Sequence, residues 1–154
     1  ELAVVIGRRG RSIQRAQAYD YVFGYTLAND LSARDAQRQH GQWFKGKAFD
    51  SSCPLGPAVV PHADIGDPHG LSIQLRVNGE LRQSANTEDM MWRVPDILFW
   101  LSQGMTLEPG DIVLTGTPEG VGNRMTPPGY LQPGDLVEAE LEGIGTLQTR
   151  IVRA

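Results

Sequence analysis

Apolar side chains follow two periods along this chain, and the points where the pattern breaks mark its elements. Leu2 to Ile6 is an unbroken aliphatic run, which predicts a strand covered on both faces and ended by Gly7-Arg-Arg-Gly10. Ile13, Ala16 and Tyr19 fall at helical spacing behind Ser12, so a short capped helix is predicted over Ile13 to Asp20. Tyr21 to Leu27 restarts extended chain as a second buried strand. Ser51-Ser-Cys-Pro-Leu-Gly-Pro57 reads as a rigid irregular path, Ala58 to Val60 as a short edge strand, and His62 to Gly70 as a surface loop. Strict alternation over Leu71 to Val77, then Asn78-Gly79 and Glu80 to Ala85, predicts a hairpin.

Val94, Ile97, Leu98 and Leu101 lie at i, i+3, i+4 and i+7, which predicts a helix over Pro95 to Gln103 stopped by Gly104. Its Phe99 and Trp100 are expected to pack rather than to bind. Leu107-Glu-Pro-Gly-Asp111 turns into a strand at Ile112 to Leu114, and Leu131-Gln-Pro-Gly-Asp135 repeats the device before Leu136 to Leu141. Thr146 to Val152 closes the chain as a last strand. Seven or eight short strands with two or three helices make a β-rich α+β fold.

Composition narrows the class. With 154 residues, 40% hydrophobic and 21% charged, the chain suits one globular domain, 1–154. A net charge of −4 argues against nucleic acid as a partner, since phosphate backbones need a basic surface. Arg8, Arg9, Arg11 and Arg15 read as a solvated face. No window is long and apolar enough for a membrane span, and the lone Cys53 permits no internal disulfide, so a cytoplasmic setting is expected. The chain opens on Glu1 without an initiator Met, as a strand already under way.

Candidate chemistry gathers where apolar runs end. Asp30 closes the second strand within Asn29-Asp-Leu-Ser-Ala-Arg-Asp35, and an acid there needs a cation, a metal or hydrogen-bond donors. Arg34, Gln37 and Lys47 are candidate donors to an anion. A competing reading has Ser32 capping a short helix with Asp35 in its first turn. Glu1, at the mouth of the first strand, pairs with Asp30 as candidate oxygen ligands for a hard cation such as Mg²⁺. Zinc is disfavoured, because His40, His62 and His69 show no ligand spacing and are expected at the surface. Cys53 reads as a structural thiol. Thr115-Gly-Thr-Pro-Glu-Gly-Val-Gly122 lacks the Lys-Ser/Thr of a phosphate loop. It could instead offer N–H groups and hydroxyls to a carboxylate, or be only a tight turn.

Several stretches together carry a resemblance: Glu1-Leu-Ala-Val-Val-Ile-Gly7, Gly24-Tyr-Thr-Leu-Ala-Asn-Asp-Leu-Ser-Ala-Arg-Asp35, Gly46-Lys-Ala-Phe-Asp50, Cys53-Pro-Leu-Gly-Pro57, Val77-Asn-Gly-Glu80, Asn86-Thr-Glu-Asp-Met90, Pro109-Gly-Asp111 and Thr115 to Gly122. In this order they resemble the fumarylacetoacetate hydrolase family. The resemblance implies a catalytic domain built as a β-rich mixed roll, a homodimer, and one Mg²⁺ or Mn²⁺ bound through Glu1 and Asp30. It implies Lys47 and Arg34 as catalytic cations, and Gln37, Gly116 and Thr117 as substrate-binding groups. A first metal glutamate two positions ahead of Glu1, and a lid whose His-Glu pair activates water, are expected upstream.

The substrate so implied is a small 2-oxo acid, whose carboxylate and keto oxygen can chelate the metal while an enolate forms. Hydrolysis of a carbon-carbon bond in an acylpyruvate-like or fumarylpyruvate-like acid, or decarboxylation of an oxaloacetate-like one, is the leading expectation. Isomerisation or tautomerisation of hydroxymuconate-type diacids follows from the same enolate. A non-catalytic binding or oligomerisation module of this fold is the expectation of a different class.

Overall fold

The structure, a computed structural model, describes residues 1–153. Eight strands form two four-stranded sheets. They are β1 (Leu2–Ile6), β2 (Val22–Ala28), β3 (Leu55–Pro61), β4 (Ser72–Val77), β5 (Glu80–Asn86), β6 (Ile112–Leu114), β7 (Leu136–Leu141) and β8 (Gly145–Arg150). The first sheet runs β3-β2-β1-β6 and the second β5-β4-β7-β8, with every pairing antiparallel. Three α-helices accompany them: α1 (Arg34–His40), α2 (His62–Ile65) and α3 (Val94–Gly104). The β-rich α+β expectation holds. None of these helices is long and apolar enough to cross a membrane.

The two sheets close on one core. Leu2, Val4, Ile6, Tyr25 and Leu27 from the first meet Ile73, Ala139 and Leu141 from the second, with Val94 and Leu98 of α3 and the loop residues Ile13, Leu107 and Ile144. Fully burying a Leu or Ile side chain contributes roughly 1.5–3 kcal/mol. Helices of seven and four residues add little by themselves. The sheet-to-sheet interface therefore holds the fold, and the short elements are carried by it.

Local signals fail where tertiary bonds outbid them. Ser12 caps no helix: its φ is 54°, and a 3₁₀ helix spans Arg15–Tyr21 instead. The Ser12 N–H donates to the Ser102 carbonyl and the Ile13 N–H to Ser102 Oγ, both 2.8–2.9 Å, which fixes this segment against α3. Ser32 does not cap α1 either, since Ala33 stands at that position without a side-chain bond, although Asp35 does lie in the first turn. Trp100 is 59% exposed rather than packed, and the guanidinium of Arg15 sits 3.8 Å over the neighbouring Phe99 ring.

Two histidines also depart from expectation. His62 stacks on Tyr19 and bonds the Tyr25 hydroxyl through Nδ1 at 3.0 Å. The His69 side chain is buried, and its Nε2 accepts the Val94 N–H at the start of α3. With Nε2 an acceptor, the neutral ring carries its proton on Nδ1 and donates it to Asp67 at 2.7 Å. The N–H and ring of His69 hold the Asp67 carboxyl below the usual carboxylate range.

Candidate active site

Antiparallel pairing decides where the acids meet. Leu2 stands opposite Leu27, so the mouth of β1 and the end of β2 are the same edge of the sheet. The Ala28 N–H donates to the Glu1 carbonyl at 3.0 Å, and Asp30 follows two residues on. On the other flank of β1, Ala3 stands opposite Leu114, which brings the end of β6 to this edge as well. Thr115 donates to the Leu2 carbonyl through both N–H (3.2 Å) and Oγ1 (2.8 Å), and the next N–H, of Gly116, donates to Glu1 Oε2 at 2.8 Å. Three strand ends thus deliver Glu1, Asp30 and Gly116 together.

Lys47 reaches the same place from a turn. Phe44–Gly46 is a 3₁₀ turn tied to the stretch after Asp30 by Ala33 N–H to the Gly46 carbonyl at 2.8 Å. Gly46 is buried against Gln37, where an added Cβ would come within 2.8 Å of Gln37 Cβ. Lys47, next in the chain, forms an ion pair with Asp30 Oδ2 while both side chains stay partly open to solvent. Trp43, which leads into the turn, and Phe44, its first residue, are 70% and 73% exposed.

Electrostatics places both acids in one neighbourhood. Burial pushes the Cys53 thiol up, and the charges of Asp30 and then Glu1 push it further, with Lys47 acting against them. One sulfur atom senses both carboxylates and the ammonium. Cys53 has no partner base in this set, in keeping with an unreactive thiol.

The remaining expected residues divide. Arg34 and Gln37 sit on α1 and bond one another, Arg34 Nη1 to Gln37 Oε1 at 3.0 Å, rather than any of the acids. Gln37 Nε2 and Asn29 Nδ2 are buried without an acceptor, an unusual state that a ligand oxygen would relieve. Thr117 is exposed, and its Oγ1 accepts from Gln83 Nε2 at 2.9 Å. Gln83 has no local signature in the sequence, since it lies on β5 in the other sheet and only the folded hairpin brings it here.

The donor set is hard oxygen. Among the described residues no three His, Cys, Asp or Glu side chains gather to hold a metal. Two carboxylates alone fit an ion such as Mg²⁺ or Mn²⁺, which takes one or two carboxylates and fills its other positions with water and substrate. They make a poor zinc site, since zinc sites are built chiefly from His nitrogen and Cys sulfur with carboxylates as a minority.

Comparison with known proteins shows the family. Residues 1–152 match the family described as Fumarylacetoacetate (FAA) hydrolase C-terminal. Among curated relatives, oxaloacetate tautomerase YisK of Bacillus subtilis (strain 168) is 51% identical over 151 residues, covering 98% of this chain and 50% of the relative. A solved fumarylacetoacetate hydrolase from psychrophilic Exiguobacterium antarcticum superposes with a TM-score of 0.97 at 48% identity, over 100% of this chain and 55% of the other. Fumarylpyruvate hydrolase from Pseudomonas aeruginosa, solved in complex with Mn²⁺ and pyruvate, gives 0.89 at 37% identity, over 100% and 64%. The chain spans about half the length of the curated relatives it matches.

Proposed function

The chain belongs to the fumarylacetoacetate hydrolase family, an enzyme family, and from that premise we propose that it acts on the carbon beside the keto group of a small 2-oxo acid with Mg²⁺ or Mn²⁺ as cofactor. Proton transfer between keto and enol forms of an oxaloacetate-like diacid is the first reading. It is supported by the 51% identity to a relative named as an oxaloacetate tautomerase. Carbon-carbon cleavage, which the sequence alone ranked first, becomes the second reading, supported by the likeness to a fumarylpyruvate hydrolase at 37% identity. The observation that carries both is the meeting of Glu1, Asp30, Lys47 and Gly116 at one sheet edge.

Glu1 and Asp30 would hold the cation, which supplies Lewis-acid stabilisation to the negative charge developing on a keto oxygen. Gly116 fixes one oxygen of Glu1 and so sets the direction of its carboxylate. Lys47 restrains Asp30 and keeps an ammonium at the same edge, where a fixed positive charge favours an oxyanion without reorganising. Arg34 uses one Nη on Gln37 and retains further donors for a carboxylate. The Gln37 NH₂, buried without an acceptor, supplies another N–H beside it.

The test uses the full-length protein with Mn²⁺, following the ultraviolet absorbance of enol-oxaloacetate and, in parallel, cleavage of acetylpyruvate and fumarylpyruvate. Accelerated ketonisation is expected, and Lys47→Ala should lower turnover by roughly 100-fold or more, the scale of one lost oxyanion-stabilising group. Its melting temperature should stay near wild type. Cleavage without ketonisation would promote the second reading, and wild-type turnover in the variant would remove the role given to Lys47.

A further inference from the structure

The glycine-rich segment after β6 is seated on the second sheet by two consecutive residues of β5. An added Cβ at Gly120 would stand 2.0 Å from the Arg82 carbonyl, so the loop lies directly on the strand there. The Arg82 guanidinium reaches Met125 Sδ at 2.9 Å on the far side of the same loop. Between these, Gln83 Nε2 donates to Thr117 Oγ1 at 2.9 Å and to the Pro118 carbonyl at 2.8 Å. Gln83 also shares the wall of a small cavity with Glu1 and Pro118.

The orientation of this amide is fixed by chemistry. The Pro118 carbonyl can only accept, so the group facing it must be the NH₂ and not the oxygen of Gln83. Its two protons then serve two acceptors, one each. Thr117 Oγ1 is thereby used as an acceptor, and its own proton must point elsewhere. Among the described residues that proton has the Pro118 carbonyl at 3.4 Å, a long and therefore weak hydrogen bond. A ligand carboxylate, charged and able to come closer, would take that proton in preference to the Pro118 carbonyl.

We propose that Gln83 is a positioning residue that fixes the Thr117 hydroxyl as a hydrogen-bond donor toward the carboxylate of the bound 2-oxo acid. The proposal rests on the reading that Thr117 meets that carboxylate. Gln83 touches no substrate itself. It acts by occupying the acceptor side of Oγ1 and by holding the Thr117-Pro118 peptide against β5. A glutamate at this position would reverse the polarity, because a carboxylate would take the Thr117 proton and add a negative charge beside the ligand's own.

The experiment measures oxalate binding by calorimetry to the full-length protein in Mn²⁺, for wild type, Gln83→Leu, Gln83→Glu, Thr117→Val and Gln83→Leu/Thr117→Val, with a melting curve on each. Gln83→Leu should weaken oxalate roughly tenfold, the scale of one lost oriented hydrogen bond. Gln83→Glu should weaken it more. The double variant should bind no worse than Thr117→Val alone, since both changes act through one hydroxyl. In steady state, KM for oxaloacetate should rise while kcat changes little.

If Thr117→Val binds oxalate like wild type, the underlying reading of Thr117 fails and the proposal falls with it. Should Thr117→Val weaken binding while Gln83→Leu does not, or should the two losses add in full, the role of Gln83 is overturned and the reading of Thr117 stands. Gln83→Met keeps the length and apolar stem of the side chain, and replaces Gln83→Leu if that variant melts early.

Discussion

The two Pro-Gly-Asp turns and the glycine-rich loop lie within thirty residues of one another, share a composition, and are held in opposite ways. Each turn is closed first by its own atoms, and outside bonds such as Gly110 N–H to the Ile6 carbonyl and the Asn78 amide to Asp135 only dock the closed turn. Asp111 Oδ2 accepts the Glu108 N–H at 2.7 Å while its N–H returns to the Glu108 carbonyl at 3.0 Å, and Asp135 does the same with Gln132 at 2.7 and 3.0 Å. Gly110 and Gly134 take φ of 92° and 100° at the matching position. The loop from Thr115 to Gly122 is instead held at Leu2, Glu1, Gln83 and Arg82, partners 34 to 115 residues away where hydrogen bonds are concerned. Self-closed turns set the ends of strands. A loop held mainly from outside takes its position from the distant residues that anchor it, its one internal side-chain contact, Thr117 to Pro118, being long.

This contrast can be broken most forcefully at Gly120. An alanine there meets the Arg82 carbonyl and must also keep φ near 100°, a strain of about 1–3 kcal/mol. The loop should lift rather than the sheets separate. Turnover and oxalate affinity should therefore fall at least about tenfold, while the melting temperature drops by only a few degrees, the reading of kinetic loss without global unfolding. A large fall in melting temperature with normal turnover in the surviving fold would reverse the comparison.

A smaller effect is expected at the first turn. Asp111→Ala removes the acceptor for Glu108 N–H and should lower the unfolding free energy by about 1 kcal/mol, as one lost hydrogen bond does. Turnover per folded molecule should be unchanged. If activity fell with stability, the turn would be part of the site and the division drawn between the two regions would be wrong.

The smallest effect belongs to acid. The N–H of Gln132, and then the Asn78 amide, hold the Asp135 carboxyl below the usual carboxylate range. A carboxylate with a depressed folded value adds stability that is complete above its unfolded value and is lost as pH falls through the folded one. Asp135→Asn should flatten the acid limb of a plot of urea midpoint against pH. An acid limb as steep as that of wild type would show that this turn does not contribute to it.

What the sequence makes legible follows the same line. The hairpin at Asn78-Gly79, the α3 stripe, both Pro-Gly-Asp turns and the strands around Val4 and Tyr25 all depend on periods or bonds spanning a few residues, and all are present. Glu1 and Asp30 are legible as acids at the ends of apolar runs and as a candidate pair of ligands for a hard cation, while the catalytic role of Lys47 comes from the family resemblance. Ser12 and Ser32 misled because a capping preference of about 1 kcal/mol yields to tertiary anchors such as Ser102. Gln83 and His62 carry no local signature, since each is defined by a partner on a distant element, and His69 joins its near neighbour Asp67 to the distant Val94 N–H.

The most direct test of the acidic edge is a calorimetric titration of Mn²⁺ into the full-length protein as wild type, Glu1→Gln and Asp30→Asn. Both carboxylates holding one ion requires each single variant to lose affinity by roughly tenfold or more, since even residues that merely orient ligands cost 10–100-fold. If either variant binds Mn²⁺ as wild type does, the two acids do not share a cation.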